Sequence, residues 1–136
     1  MANTNCFKLK VLAPNRVFYE GEADMIELTT TEGEIGVYKD HIPLTAIVSP
    51  GILKISLNGE VKEAAMLEGF LEITGDEVII LSESCEWPHE IDVKRAEEAK
   101  IRAERRLSSS DINVNMDRAE IALKKSLIRL NVAGKH

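Results

Sequence analysis

A chain of 136 residues has room for one domain or two small ones. Hydrophobic residues make up 44% and aromatic residues only 4%, so the core must be aliphatic, and base-stacking recognition of single-stranded nucleic acid is not expected. The net charge of −6 argues against a phosphate-backbone binder, and no apolar run of about 18 residues is present to span a membrane.

The opening, Met1–Asn5, has neither a basic stretch nor an apolar run, so no secretory signal is expected. Cys6 and Cys85 are too distant in sequence for a metal knuckle or a redox pair, which points to a reducing, cytoplasmic compartment. Phe7, Leu9 and Val11 alternate with Lys8 and Lys10, Ile26 and Leu28 flank Glu27, and Leu53, Ile55 and Leu57 alternate with Lys54 and Ser56. This period of two predicts strands with one wet face. Val78–Leu81 is an uninterrupted apolar run and predicts a more fully buried strand. Asn58-Gly59 is a strong two-residue hairpin signal, and Pro14-Asn15, Pro50-Gly51 and Gly75-Asp76 supply further reversals. Short strands so closely punctuated predict an antiparallel β-sandwich or barrel over residues 1–87.

The grammar changes at Pro88. No proline follows it, and seven of the eight glycines precede it. Val93, Ala96, Ala99, Ala103 and Leu107 share one face of a first helix, and Met116, Ala119, Leu123, Leu127 and Leu130 one face of a second. Ser108–Asp111 makes the break, and Asn115 is placed to cap the second helix. The short connection predicts an antiparallel two-helix hairpin over residues 88–136. Its first stripe is narrow and alanine-rich, so the hairpin should depend on its partner helix, on the sandwich or on a ligand, and be the mobile part. Charge divides at the same place. Six basic residues face fifteen acidic ones before Pro88, against eleven and eight from it onward. Such asymmetry suggests separate partners.

Three segments, in this order, resemble the epsilon-subunit family of bacterial F-type ATP synthases. They are Glu32–Tyr38 leading into His41–Leu44, then Gly69–Ile73, then Ile91-Asp92-Val93-Lys94-Arg95-Ala96. The resemblance runs over essentially the whole chain. It implies a non-catalytic rotor subunit of the proton-translocating enzyme, at the cytoplasmic face of the bacterial membrane and touching the membrane only through the complex. The sandwich would meet the gamma subunit and the c-ring, with Glu34 and His41 in the loops that make contact. The hairpin would either fold down or rise toward the alpha/beta catalytic head, where Lys124, Lys125 and Arg129 would face an acidic surface and block ATP hydrolysis.

The resemblance also implies ATP as a regulatory ligand of the folded-down hairpin, with no cofactor required. The residues it assigns are Glu86, Ile91, Asp92, Arg95, Ala96, Arg102 and Arg118. The segment admits another reading that needs no ligand: Asp92 as helix cap, with Ile91 and Ala96 placed as a hydrophobic staple. A purely structural coupling subunit with a permanently folded hairpin is therefore the alternative. The chain departs from the family at Trp87-Pro88-His89, where a stiff proline affects how Glu86 could approach a nucleotide. No G-x-x-x-x-G-K-[ST] or G-x-G-x-x-G sequence occurs, and His41, His89 and His136 have no metal-ligand spacing with the cysteines. No active site is expected, and both thiols should be inert.

Overall fold

The computed structural model describes residues 5–134. The opening residues 1–4 and residues 135–136, including His136, lie outside the described residues. The chain divides into two compact units, Met1–Cys85 and Glu86–His136.

The first unit is a β-sandwich. Its strands are β1 (Phe7–Ala13), β2 (Arg16–Ala23), β3 (Met25–Thr30), β4 (Gly33–Tyr38), β5 (Leu44–Val48), β6 (Gly51–Leu57), β7 (Glu60–Met66), β8 (Gly69–Thr74) and β9 (Glu77–Ser82), with a two-residue β10 (Cys85–Glu86) at the chain's exit. The hydrogen-bonded order is β10-β7-β6-β3-β5-β8-β9-β1-β2, with β4 on the other edge of β3. β3 joins the two layers. It pairs with β6 through Met25–Glu27 and reaches β5 only at Thr30↔Val48. Most pairs are antiparallel, but β1 and β9 run parallel, Leu9 beside Val78 and Val11 beside Ile80. These are the first and next-to-last strands, so the long intervening chain allows the crossover that a parallel pair requires.

The turns lie where the sequence placed them. Asn58 and Gly59 close β6 onto β7 with φ of 52° and 83°, the left-handed conformation that suits a tight hairpin to strand twist. The core is aliphatic as composition required: Leu9, Val11, Ile26, Leu28, Val37, Val48, Leu53, Ile55, Leu71, Ile73 and Ile80 are buried.

One strand differs from expectation. β9 is not buried on both faces: Val78 and Ile80 point into the core, while Leu81 is 48% exposed. The run is uninterrupted because the outer face of this layer carries an apolar row. In register across four strands, Ile47, Phe70, Leu81 and Leu12 stand side by side. Ile47 and Phe70 are exposed as well. Parallel-sheet burial and an outward apolar row produce the same sequence signal.

Gly69 has a steric reason to be glycine. A Cβ there would overlap the carbonyl oxygen of Leu81 and stand 2.8 Å from the Cα of Ser82. β8 and β9 approach too closely at this end for any side chain.

The second unit begins with a 3₁₀ turn at Pro88–Glu90, followed by α1 (Val93–Leu107) and α2 (Met116–Gly134). Trp87-Pro88-His89 thus forms a defined turn, with the Trp87 N–H donating to the Glu90 carboxylate at 2.8 Å. α1 ends in a serine-rich loop in which Ser108 Oγ donates to the carbonyls of Glu104 and Arg105. Ala96 and Ala103 of α1 and Ala119, Ser126 and Val132 of α2 are buried.

The expected stripes hold only in part. Val93, Met116 and Leu127 are exposed. Met116 and Leu127 lie about 60–80° round the helix from Ala119, beyond the edge of the seam that Ala119 and Ser126 define. The helices meet along small side chains, which permit close approach, and the larger apolar ones flank the seam.

Candidate functional site

The start of α1 is built by local chemistry. Asp92 has an extended backbone, and its Oδ1 accepts from the Arg95 N–H at 3.1 Å, the N-cap geometry. Ile91 and Ala96, the positions of the staple, are both buried. The segment therefore has a structural use complete in itself. Asp92, Arg95 and Arg102 are exposed along the first turns of α1.

Glu86 has a partner that sequence reasoning missed. Arg129 Nε donates to Glu86 Oε1 at 2.6 Å, and both side chains are about two-thirds or more shielded from solvent. Arg129 was expected to face a partner's acidic surface; in this conformation it closes onto the residue that opens the helical unit. The signal was available only as a wheel position, since Arg129 is separated from Glu86 by 43 residues.

Arg118 does not join the Asp92 end. It lines a polar groove with Arg106, Asn113 and Asn115 at the loop between the helices. Its own N–H is capped by Asn115 Oδ1 at 3.0 Å, so the predicted cap of α2 is present. With Arg129 beside Glu86 at one end and Arg118 beside Arg106 at the other, the helices run antiparallel. At 1.5 Å per residue, the 15 residues of α1 separate the two ends by about 20 Å. The structure thus pairs Glu86 with Arg129, joins Asp92 to Arg95 through the cap with Ile91 and Ala96 buried beside it, leaves Arg102 exposed further along α1, and places Arg118 at the far end. Lys124 is exposed on α2 and Lys125 is half-buried.

In the sandwich, Glu34 lies exposed on β4 opposite Thr29, next to the β3–β4 turn. Thr30 Oγ donates to the Gly33 carbonyl at 2.8 Å and accepts from the Glu32 N–H, fixing that turn. His41 follows β4, with its Nδ1 2.7 Å from the Ile42 carbonyl, so Nδ1 carries the proton in that contact. Tyr38, Ile42 and Leu44 are exposed around it. The apolar row on the outer face of β5-β8-β9-β1 is the second feature that the sequence reading missed. Its only signal in the sequence is the Val78–Leu81 run, which equally fits a strand buried on both faces.

Among the described residues no group of His, Cys, Asp or Glu could hold a metal ion, and no helix is long and apolar enough to cross a membrane. Cys85 is buried, and partial burial together with the Glu22 carboxylate pushes the Cys6 thiol above its ordinary range.

A ten-stranded sandwich leading into a basic two-helix hairpin defines a two-part architecture with known counterparts. Residues 6–88 match the ATP synthase Delta/Epsilon chain beta-sandwich domain, and residues 89–134 match the Delta/Epsilon chain long alpha-helix domain. The chain belongs to the ATP synthase delta/epsilon chain family. It is 49% identical to the ATP synthase epsilon chain of Caldanaerobacter subterraneus subsp. tengcongensis, over 96% of this chain and 95% of the relative. It is 45% identical to that of Clostridium novyi, over 97% and 99%. Among solved structures it resembles a chain of the Euglena gracilis mitochondrial ATP synthase OSCP/F1/c-ring assembly, with a TM-score of 0.79 and 25% identity over 94% of this chain and 80% of that one. A chain of the Tetrahymena thermophila mitochondrial ATP synthase central stalk and c-ring shares the fold, with a TM-score of 0.57.

Proposed function

We propose that this chain is a non-catalytic central-stalk subunit of a proton-translocating F-type ATP synthase, peripheral to the cytoplasmic face of the membrane. In this reading its sandwich meets the gamma subunit and the c-ring, and its hairpin restrains ATP hydrolysis at the alpha/beta head in a manner set by bound ATP. The outward row of Ile47, Phe70, Leu81 and Leu12 suits an apolar rotor contact. The exposed Tyr38, Ile42 and Leu44 beside His41 suit a second one.

The observation that carries the switch is the hairpin's packing. Its buried side chains are mostly small, Ala96, Ala103, Ala119 and Ser126 with Val132 the one larger residue among them, while Val93, Ile101, Ile121 and Leu127 stay exposed. Such a unit gains little from its own core and has apolar faces to offer elsewhere, as an element with two resting places requires. ATP at ten times its dissociation constant would favour the binding conformer by only ~1.4 kcal/mol, so the two conformers must be close in free energy. The adenine amino group or ribose hydroxyl would donate to the Asp92 carboxylate, and Arg95 and Arg102 would face the phosphates.

The test is calorimetric titration of ATP, with and without Mg²⁺, into the intact chain and into Asp92→Ser and Arg95→Ala. Serine retains a cap, so a loss of binding in Asp92→Ser reports the ligand rather than the helix. Saturable binding between micromolar and millimolar ATP, lost in both variants, is the expected result. Absence of binding at several millimolar ATP would leave Ile91–Ala96 as cap and staple, and the chain as a purely structural coupling subunit.

A further inference from the structure

Asn58 alone among the chain's seven asparagines is followed by glycine. That pair is open to a reaction that needs nothing but water. The Gly59 amide nitrogen attacks the Asn58 side-chain carbonyl carbon and closes a five-membered succinimide ring. The side-chain nitrogen leaves as ammonia, taking the Gly59 amide proton. Water then breaks one of the two ring C–N bonds. Opening at the side-chain carbonyl gives aspartate, and opening at the backbone carbonyl gives isoaspartate, with an extra methylene in the main chain. Glycine matters because no side chain crowds the attacking nitrogen.

Backbone geometry decides whether the ring can close. Viewed along the Asn58 Cα–C bond, the Gly59 nitrogen must come nearly into line with Cβ. Asn58 has φ 52°, where an L residue is confined to ψ of about +30 to +60°. This turns the nitrogen away from Cβ, so the folded hairpin holds the pair in a shape that does not react. Asp24, between β2 and β3, fastens the hairpin. Its N–H donates to the Ser56 carbonyl at 2.7 Å, and its Oδ2 accepts from the Asn58 N–H at 2.8 Å, a charge-assisted bond. Asn58, Gly59 and Glu60 are exposed, so this tip can open while the sheet behind it stays formed. We infer that Asn58 is a site of spontaneous deamidation, kept latent by the turn and guarded by Asp24. The change is one-way and self-reinforcing. Either product adds a carboxylate to the residue whose N–H meets Asp24, in a part of the chain where fifteen acidic residues already face six basic ones. None of this depends on whether the chain binds ATP.

Peptide mapping by mass spectrometry, with enzymatic methylation to detect isoaspartate, follows the reaction in the full-length chain in mildly alkaline buffer. In urea Asn58 should deamidate faster than any other asparagine, and in the native chain about tenfold to a hundredfold more slowly than in urea. Asp24→Ala should raise the native rate by about tenfold and leave the rate in urea unchanged. Hydrogen exchange at the Asn58 N–H of the parent chain keeps the idea exposed should Asp24→Ala fail to fold: protection there should match the slowing of deamidation. Equal rates in the native and urea-unfolded parent would overturn the latency. An unchanged native rate in folded Asp24→Ala, or an unprotected Asn58 N–H in a chain that deamidates slowly, would overturn the part given to Asp24.

Discussion

Gly69→Ala is the sharpest test of how the sandwich is assembled. The added methyl would overlap the Leu81 carbonyl oxygen and stand 2.8 Å from Ser82 Cα and 2.9 Å from the Leu81 carbonyl carbon. Ordinary carbon–carbon contact is roughly 3.5–4 Å, so β8 would have to move from β9 by about an ångström at this end. Three bonds lie there: Glu83 N–H to the Glu68 carbonyl, Leu67 N–H to the Ser84 carbonyl, and Ser82 Oγ to the Leu67 carbonyl. At ~1 kcal/mol each, their loss together with loosened packing gives a destabilisation of about 2–4 kcal/mol. For a unit of this size that lowers the melting temperature by about 10–25 °C. Gly33→Ala is the control: Gly33 has φ +116° but nothing within 4 Å of an added Cβ, so it should show only backbone strain of about 1–2 kcal/mol. Urea denaturation followed by far-ultraviolet circular dichroism measures both. A Gly69→Ala sandwich within ~0.5 kcal/mol of the parent would refute the close-approach argument.

Three further outcomes are expected. Asp92→Ala should destabilise the helical unit by about 1 kcal/mol, and Asp92→Ser by only a few tenths, as read by helix exchange rates; equal effects would mean that the 3.1 Å cap is not what starts α1. Ala103→Leu should overpack the seam, where Ala103 is 1% exposed, at a cost of about 1–3 kcal/mol, whereas Ile101→Leu on the exposed side should be near neutral; thermal melts of the helical signal decide. Because partial burial and Glu22 raise the Cys6 thiol, less thiolate exists at any given pH, so its maleimide labelling should be slower than that of free cysteine near pH 8 and keep climbing above pH 9; Glu22→Gln should narrow the gap.

The switch proposed above depends on the hairpin's energetic balance. The buried residues of α1 and α2 are Ala96, Ala103, Ala119, Ser126 and Val132, mostly small side chains, so the unit gains little from its own apolar burial. The Glu86–Arg129 pair then has a clear part: it ties the end of α2 to the residue at which the unit begins, through a contact that higher ionic strength should weaken.

Features settled within a few residues were legible in the chain alone. Asn58-Gly59 had to turn because both positions take positive φ. Asp92 and Asn115 had to cap because their side chains reach amides three residues on. Alternation in Phe7–Val11 named the inward face of β1 because a pleated strand alternates sides. Even the sandwich-plus-hairpin order followed from where glycine and proline end and helical spacing begins. Tertiary structure alone decided the contacts that depend on the path of the chain. An apolar run such as Val78–Leu81 reads the same whether its second face is covered or open, and only the neighbours of β9 show Leu81 outside. That Gly69 must be glycine follows from the nearness of β9, which no property of Gly69 itself encodes. Arg118 and Arg129 are both basic residues on one helix, yet only the antiparallel fold brings Arg129 to Glu86. Charge and spacing fix which side of a helix a residue occupies, but what meets that side is set by residues tens of positions away.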